Sequence, residues 1–116
     1  SIFMSSITPI FALNQDIFIN GDMSTNLQSP VLDLGELTGY AVHAVWDGDP
    51  DGIITVYGSN TMNPDDFVPV NTQSTGGEAG AHLLNVEKAH YKYVMVDFAA
   101  GTGDGNLNCK VSGKRV

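Results

Sequence analysis

Apolar positions in this chain repeat with a period of two, in short runs separated by clusters of glycine, aspartate and asparagine. Tyr40-Ala41-Val42-His43-Ala44-Val45-Trp46 and Ile53-Ile54-Thr55-Val56-Tyr57 are rich in β-branched and aromatic residues, which suit a pleated surface. Asp47-Gly48-Asp49-Pro50-Asp51-Gly52 lies between them and supplies turn chemistry, so the pair reads as a hairpin. The plan recurs downstream, with Tyr91 to Phe98, a loop from Ala99 to Gly105, and Asn106 to Ser112. In that last run Asn106, Asn108, Lys110 and Ser112 alternate with Leu107, Cys109 and Val111, which predicts a strand with one face in water. The runs 40–46 and 91–98 are apolar in both phases. They are expected at the centres of sheets with both faces at least partly covered, by the N-terminal segment or by another subunit.

Shorter pieces fill the rest. Ser29 to Gly35 reads as a strand with Leu32 and Leu34 on one side and Pro30 at its start. Asn20-Gly21-Asp22 and Asn63-Pro64-Asp65-Asp66 read as turns, Phe67 to Val70 as an extended piece, and Thr72 to Gly80 as a flexible loop. Ala81 to Val86 is a further strand, and Glu87 to His90 a turn into the next. No long run carries the helical period, so no substantial helix is expected. The fold class is all-β, an antiparallel β-sandwich, jelly-roll-like in its many short strands and regular turns.

Residues 1–20 differ from the rest, with Ile2, Phe3, Met4, Ile7, Ile10, Phe11, Leu13, Ile17, Phe18 and Ile19 against one charge, Asp16. They read as outer strands broken at Pro9 and Asn14-Gln15, or as an arm that docks on a partner subunit. In the second case Phe3, Ile7, Phe11 and Phe18 supply the interface, and residues 21–116 form the sandwich domain.

A length of 116 residues fits one domain, and 42% hydrophobic with 16% charged residues excludes a disordered chain. The net charge of −8, with only five Lys and Arg in no patch, argues against nucleic acid and against an anionic membrane surface. The single cysteine, Cys109, permits no intrachain disulfide and alternates in phase with Leu107 and Val111 as a small buried hydrophobe. The apolar N-terminal stretch has no basic region before it and is interrupted by Pro9, so neither a signal peptide nor a membrane helix is expected. A chain made in the cytoplasm is the simplest expectation.

Little in the chain suggests chemistry. Asp47, Asp49 and Asp51 match the first half of a calcium loop, in which alternate carboxylates wrap a hard cation. The match stops there: Gly58 stands where the closing Glu belongs, and no helices flank the loop, so a solvated turn is the plainer account. His43, His82 and His90 lack metal-ligand spacing, and no nucleophile elbow occurs. Gly101-Thr102-Gly103-Asp104-Gly105 precedes a strand, not a helix that could aim amides at a phosphate. No catalytic residue, cofactor or resident metal is expected. Tyr40, Trp46 and Tyr57, with Tyr91 and Tyr93, are candidates for stacking on a sugar ring, although aromatic residues on central strands more often serve the core.

The pattern Ser29-Pro30 with Asp33-Leu34-Gly35, then Gly39 to Trp46, then Gly52 with Val56-Tyr57-Gly58-Ser59-Asn60, resembles small bacteriophage virion proteins. The ending is similar to theirs too: Tyr91 to Val96, then Gly103-Asp104-Gly105-Asn106-Leu107-Asn108-Cys109-Lys110-Val111-Ser112-Gly113-Lys114. The resemblance covers residues 29–114 and consists of strands and turns, with no catalytic signature. It implies a structural role on the capsid exterior, as a decoration (cement or staple) protein that binds the major capsid protein and acts as a dimer or trimer. It leaves tail, neck and fibre positions open.

Overall fold

The computed structural model describes residues 12–115. Nine strands run along them: β1 (Ala12–Asp22), β2 (Leu27–Gln28), β3 (Leu32–Asp33), β4 (Gly39–Trp46), β5 (Asp51–Ser59), β6 (Val68–Ser74), β7 (Gly80–Val86), β8 (Tyr93–Thr102) and β9 (Asn106–Lys114). The helical content among them is a single 3-10 turn, Pro64–Asp66, capped by the Asn63 side chain on the Asp65 amide.

These strands form two antiparallel sheets. One has the order β1-β9-β4-β7; the other runs β2-β8-β5-β6, with β3 also paired to β8. Since β2 and β3 share one place beside β8, each sheet has four places, and the order is that of a jelly roll. The core lies between the sheets. Tyr40, Val42, Ala44 and Trp46 of β4, with Leu107, Cys109 and Val111 of β9, face Ile54 and Val56 of β5 and Val94, Val96 and Phe98 of β8. Burial pushes the Cys109 thiol up to about 12, so it packs as a neutral hydrophobe.

The two expected hairpins are not hairpins. β4 and β5 lie in different sheets, and so do β8 and β9. Turn chemistry reports that the chain reverses, but not which sheet receives the next strand. Both connections are corners that cross the sandwich, and they lie against each other. Asp49 N donates to Asp104 O at 2.8 Å, and Asp47 N to Asn106 O at 3.3 Å. In return Asp104 N donates to Asp49 Oδ1 at 3.0 Å, and Asn106 N to Asp47 Oδ1 at 2.7 Å. Gly48 and Gly103 have φ of 77° and 74°. A Cβ on Gly48 would stand 2.3 Å from the Asp104 carbonyl oxygen, and one on Gly103 2.1 Å from that of Asp49. Only glycine permits this approach.

Four further expectations change. β1 is not broken at Asn14-Gln15. It pairs with β9 throughout, with register shifts between Asp16 and Phe18 and between Phe18 and Gly21, where Asn20 takes a φ of 50°. Asn20-Gly21-Asp22 is therefore an irregular strand end, and the turn comes next, where Ser24 N and Oγ both donate to Asp22 Oδ1. Irregularities of this kind twist an edge strand away from further pairing. Thr72 to Ser74 belongs to β6 and not to a loop, because they pair with Ile53 to Thr55. Finally, β4 and β8 are central, but the outer face of β4 is open, with Val45 44% exposed and His43 exposed.

Candidate functional site

The outer face of the five-stranded sheet holds the candidate site. Inward and outward residues alternate along its strands, so register places Gln28, Asp97, Thr55 and Thr72 in one outward row across β2, β8, β5 and β6. Met95, Tyr57 and Pro69 form the row on one side, and Ala99, Ile53 and Ser74 the row on the other. Although they face outward, Thr55, Ser59 and Met95 are buried. The segment carrying β2 and β3 rises beside them and is fastened to β8 by side chains where its strands are short. Asn26 Oδ1 accepts from Ala100 N at 2.9 Å, and Ser29 Oγ from Val96 N at 2.8 Å. Gln28 Nε2 reaches Met95 Sδ at 3.5 Å.

The result is a recess of about 400 Å³ lined by Asn26, Gln28, Thr55, Tyr57, Asp97 and Ala99, among others. Asp97 is half-buried, and its Oδ1 is the buried side-chain oxygen without a hydrogen-bond partner among the described residues. Burial pushes its carboxyl above the ordinary value of 3.8. A buried acceptor left unpaired costs roughly 1–3 kcal/mol. Amides, a hydroxyl, a carboxylate and one phenol ring around a shallow recess are the groups that hold polar, ring-shaped ligands such as sugars.

A larger hollow of about 580 Å³ lies beside the far ends of β4, β7 and β9, bordered by Ala41, Asn85, Lys88, Ser112 and Lys114. No orphaned buried polar atom lines it among the described residues, and its aromatic neighbour, Tyr40, is only 2% exposed. The smaller recess has the more specific chemistry.

Of the aromatic candidates, only Tyr57 reaches the recess. Tyr40 and Trp46 are core residues, 2% and 6% exposed, and neither can present a ring to a ligand. Their inward phase on β4 put them there. Tyr40 shares a 2.6 Å hydrogen bond with the Tyr91 hydroxyl, and burial followed by that bond pushes its ionisation upward. The Trp46 indole donates to Glu78 O at 2.8 Å. Tyr93 lies outward on β8 with Lys92 Nζ 5.4 Å from its ring centroid.

Asp47, Asp49 and Asp51, which match half of a calcium loop, do not converge. Asp47 and Asp49 spend carboxylate oxygens on amides of the facing corner, and no group of three potential metal ligands forms among the described residues. His43 is exposed on β4, His82 Nε2 contacts Asn71 Oδ1 at 3.0 Å, and His90 is exposed in a loop. Phe3, Ile7 and Phe11 lie outside the described residues. Phe18 is half-buried and packs on the core, whereas its neighbour Ile19 is 70% exposed.

Sequence reasoning missed Asp97, Gln28 and Thr55. A signal for Asp97 was present: it is the one charge in the apolar run Val94-Met95-Val96-Asp97-Phe98, and it stands in the phase opposite to Val94, Val96 and Phe98.

No family model matches the chain, and no curated protein matches it in sequence. Solved structures do resemble it. The SPBc2 prophage-derived protein YomS has a TM-score of 0.53 at 14% identity, over 91% of this chain and 98% of its own. A cleaved-adhesin domain of Lys-gingipain from Porphyromonas gingivalis gives 0.56 at 20% identity, over 90% of this chain and 74% of its own. PirA gives 0.52 at 13% identity, over 92% and 96%. At these identities the likeness is one of fold, and the class it defines is the antiparallel β-sandwich.

Proposed function

We propose that this chain is a non-catalytic binding module of a bacteriophage particle, and that it holds a sugar chain in the recess of its five-stranded sheet. The observation that carries the sugar reading is the recess itself, which places Tyr57 beside a row of polar side chains and the unpartnered Asp97 Oδ1. The phage assignment rests on the resemblance of residues 29–114 to small virion proteins, and a prophage-derived protein with this fold is in keeping with it. A glycan array tests the sugar reading. Wild-type protein should bind a defined set of glycans and Tyr57→Ala should lose them while staying folded. An array with no bound glycan would contradict it.

A second reading is capsid decoration, in which the chain binds the major capsid protein on the particle exterior and bridges subunits as a dimer or trimer. The observation that favours it is the opposite face: Val45 and Leu83 are 44% and 63% exposed in adjacent rows of the four-stranded sheet, and Ile19 is exposed on β1. Phe3, Ile7, Phe11 and Phe18 would supply part of the interface with the capsid in this reading. A protein that binds only the assembled lattice stabilises it by mass action. The two readings use opposite faces and are compatible. Quantitative mass spectrometry of purified particles separates their weights. A copy number near that of the major capsid protein, or a simple fraction of it, supports decoration, and a handful of copies places the chain on a tail or fibre. Absence from the particle would end both virion assignments.

A further inference from the structure

We infer that the recess selects its sugars by charge, taking amino sugars in preference to neutral ones and rejecting those that carry carboxylates or sulfates. This rests on the reading of the recess as a sugar site. The side chains on its outward rows supply one formal charge near the middle, the Asp97 carboxylate, and the residues of those rows on β2, β5, β6 and β8 include no Lys, Arg or His. Beyond those rows the charges are mixed: Asp33, outward on β3 opposite Tyr93, has its Oδ1 accepting from Gly35 N at 2.8 Å, and Lys92 Nζ lies 5.4 Å from the Tyr93 ring. An ionised carboxylate only accepts hydrogen bonds, so the ligand must donate.

That demand is sharpened because the half-buried Asp97 carboxylate, which lines the recess, has no protein donor at its fully buried Oδ1 and so keeps its charge little offset. A sugar hydroxyl can satisfy it, but a protonated sugar amine makes a shorter, charge-assisted bond of roughly twice the strength. The ring of Tyr57, opposite Met95 and so diagonal to Asp97 across the β5–β8 pair, gives the same cation a favourable face. A uronate or sulfate would bring a second negative charge into the low-dielectric recess of a chain that already carries −8. Asp97 thus both recruits amino sugars and repels acidic ones.

Isothermal titration calorimetry with three probes tests this, at a pH that leaves the sugar amines charged and Asp97 ionised. The probes are a glucosamine hexamer, cellohexaose and hexagalacturonate. The glucosamine hexamer should bind about tenfold more tightly than cellohexaose, as one added charge-assisted bond implies, and hexagalacturonate should give no binding. Asp97→Asn should erase the preference by weakening the glucosamine hexamer much more than cellohexaose, and Tyr57→Ala should weaken both. Asp65→Asn removes the same charge from the exposed 3-10 turn and should leave the order intact. Equal or tighter binding of hexagalacturonate, or a preference that survives Asp97→Asn, would overturn the charge rule. If that binding were still lost in Tyr57→Ala, the recess would stand as a sugar site and only the rule would fall. No binding of any probe would overturn the site and the rule together.

Discussion

The two sheets turn different outer faces to the surroundings. On β9 of the four-stranded sheet, exposed and buried residues alternate without exception from Asn106 to Lys114. On the five-stranded sheet the outward Thr55, Ser59 and Met95 are buried, and the outward Asp97 is half-buried with an unpartnered oxygen. The first face is what a strand looks like when only one side packs. In the second, polar groups are kept out of water without all being paired, at a cost in stability. That contrast is the physical reason to look for a sugar on the five-stranded sheet and not on the other.

The largest effect expected separates the inner from the outer aromatics. Trp46→Ala removes a buried indole and its bond to Glu78 O, and should cost about 3–5 kcal/mol in denaturant unfolding. Tyr57→Ala, on the outer face, should cost about 1 kcal/mol or less, while sugar binding is lost. If the two variants lose stability equally, the division between core and recess is wrong.

The corners that carry the chain between the faces come next. Gly48→Ala combines a positive φ with a methyl 2.3 Å from a backbone carbonyl oxygen. It should destabilise by about 2–4 kcal/mol. Gly76 has a similar φ of 70° but nothing within 4 Å of an added Cβ. Its replacement by Ala should cost only about 1 kcal/mol, the backbone penalty alone. Thermal unfolding of the pair isolates what the interlocked corners contribute.

Asp97 gives a smaller effect with a definite sign. Its folded-state pKa is raised by burial, so it costs nothing below the unfolded value near 3.8 and destabilises progressively as pH rises through its folded pKa. Asp22 acts oppositely, since the bonds from Ser24 lower its pKa and add stability that is lost on acidification. The difference between wild type and Asp97→Asn cancels the Asp22 contribution. Asn at this position should gain on wild type as pH rises from about 4 to 7. A flat difference would mean that Asp97 is not desolvated. The smallest effect belongs to the other face: Leu83→Ser should change stability by no more than about 0.5 kcal/mol and leave sugar binding intact.

Much of the fold was legible in the sequence. The strict alternation from Asn106 to Ser112 gave a strand with one wet face, and the phase of Cys109 with Leu107 and Val111 gave its burial. The pairing of strands was not legible. Asp47 to Gly52 and Ala99 to Gly105 carry the turn residues that a hairpin needs, and nothing local distinguishes a hairpin from a corner. That choice is made by distant backbone, Asp49 on Asp104 and Asp47 on Asn106. The same applies to the site. Tyr57 was visible as an aromatic residue, but its meeting with Gln28 and Asp97 depends on the β2–β8–β5 register. Tyr40 and Trp46 failed as ligand-stacking residues because their phase on β4 points inward.

The most direct test of the recess as the binding face is an amide NMR titration of the ¹⁵N-labelled protein with the glucosamine hexamer. The account predicts shifts clustered at Gln28, Thr55, Tyr57 and Asp97, with the amides of Val45, Leu83 and Lys110 unmoved. Shifts centred on the four-stranded sheet, or none at saturating sugar, would contradict it.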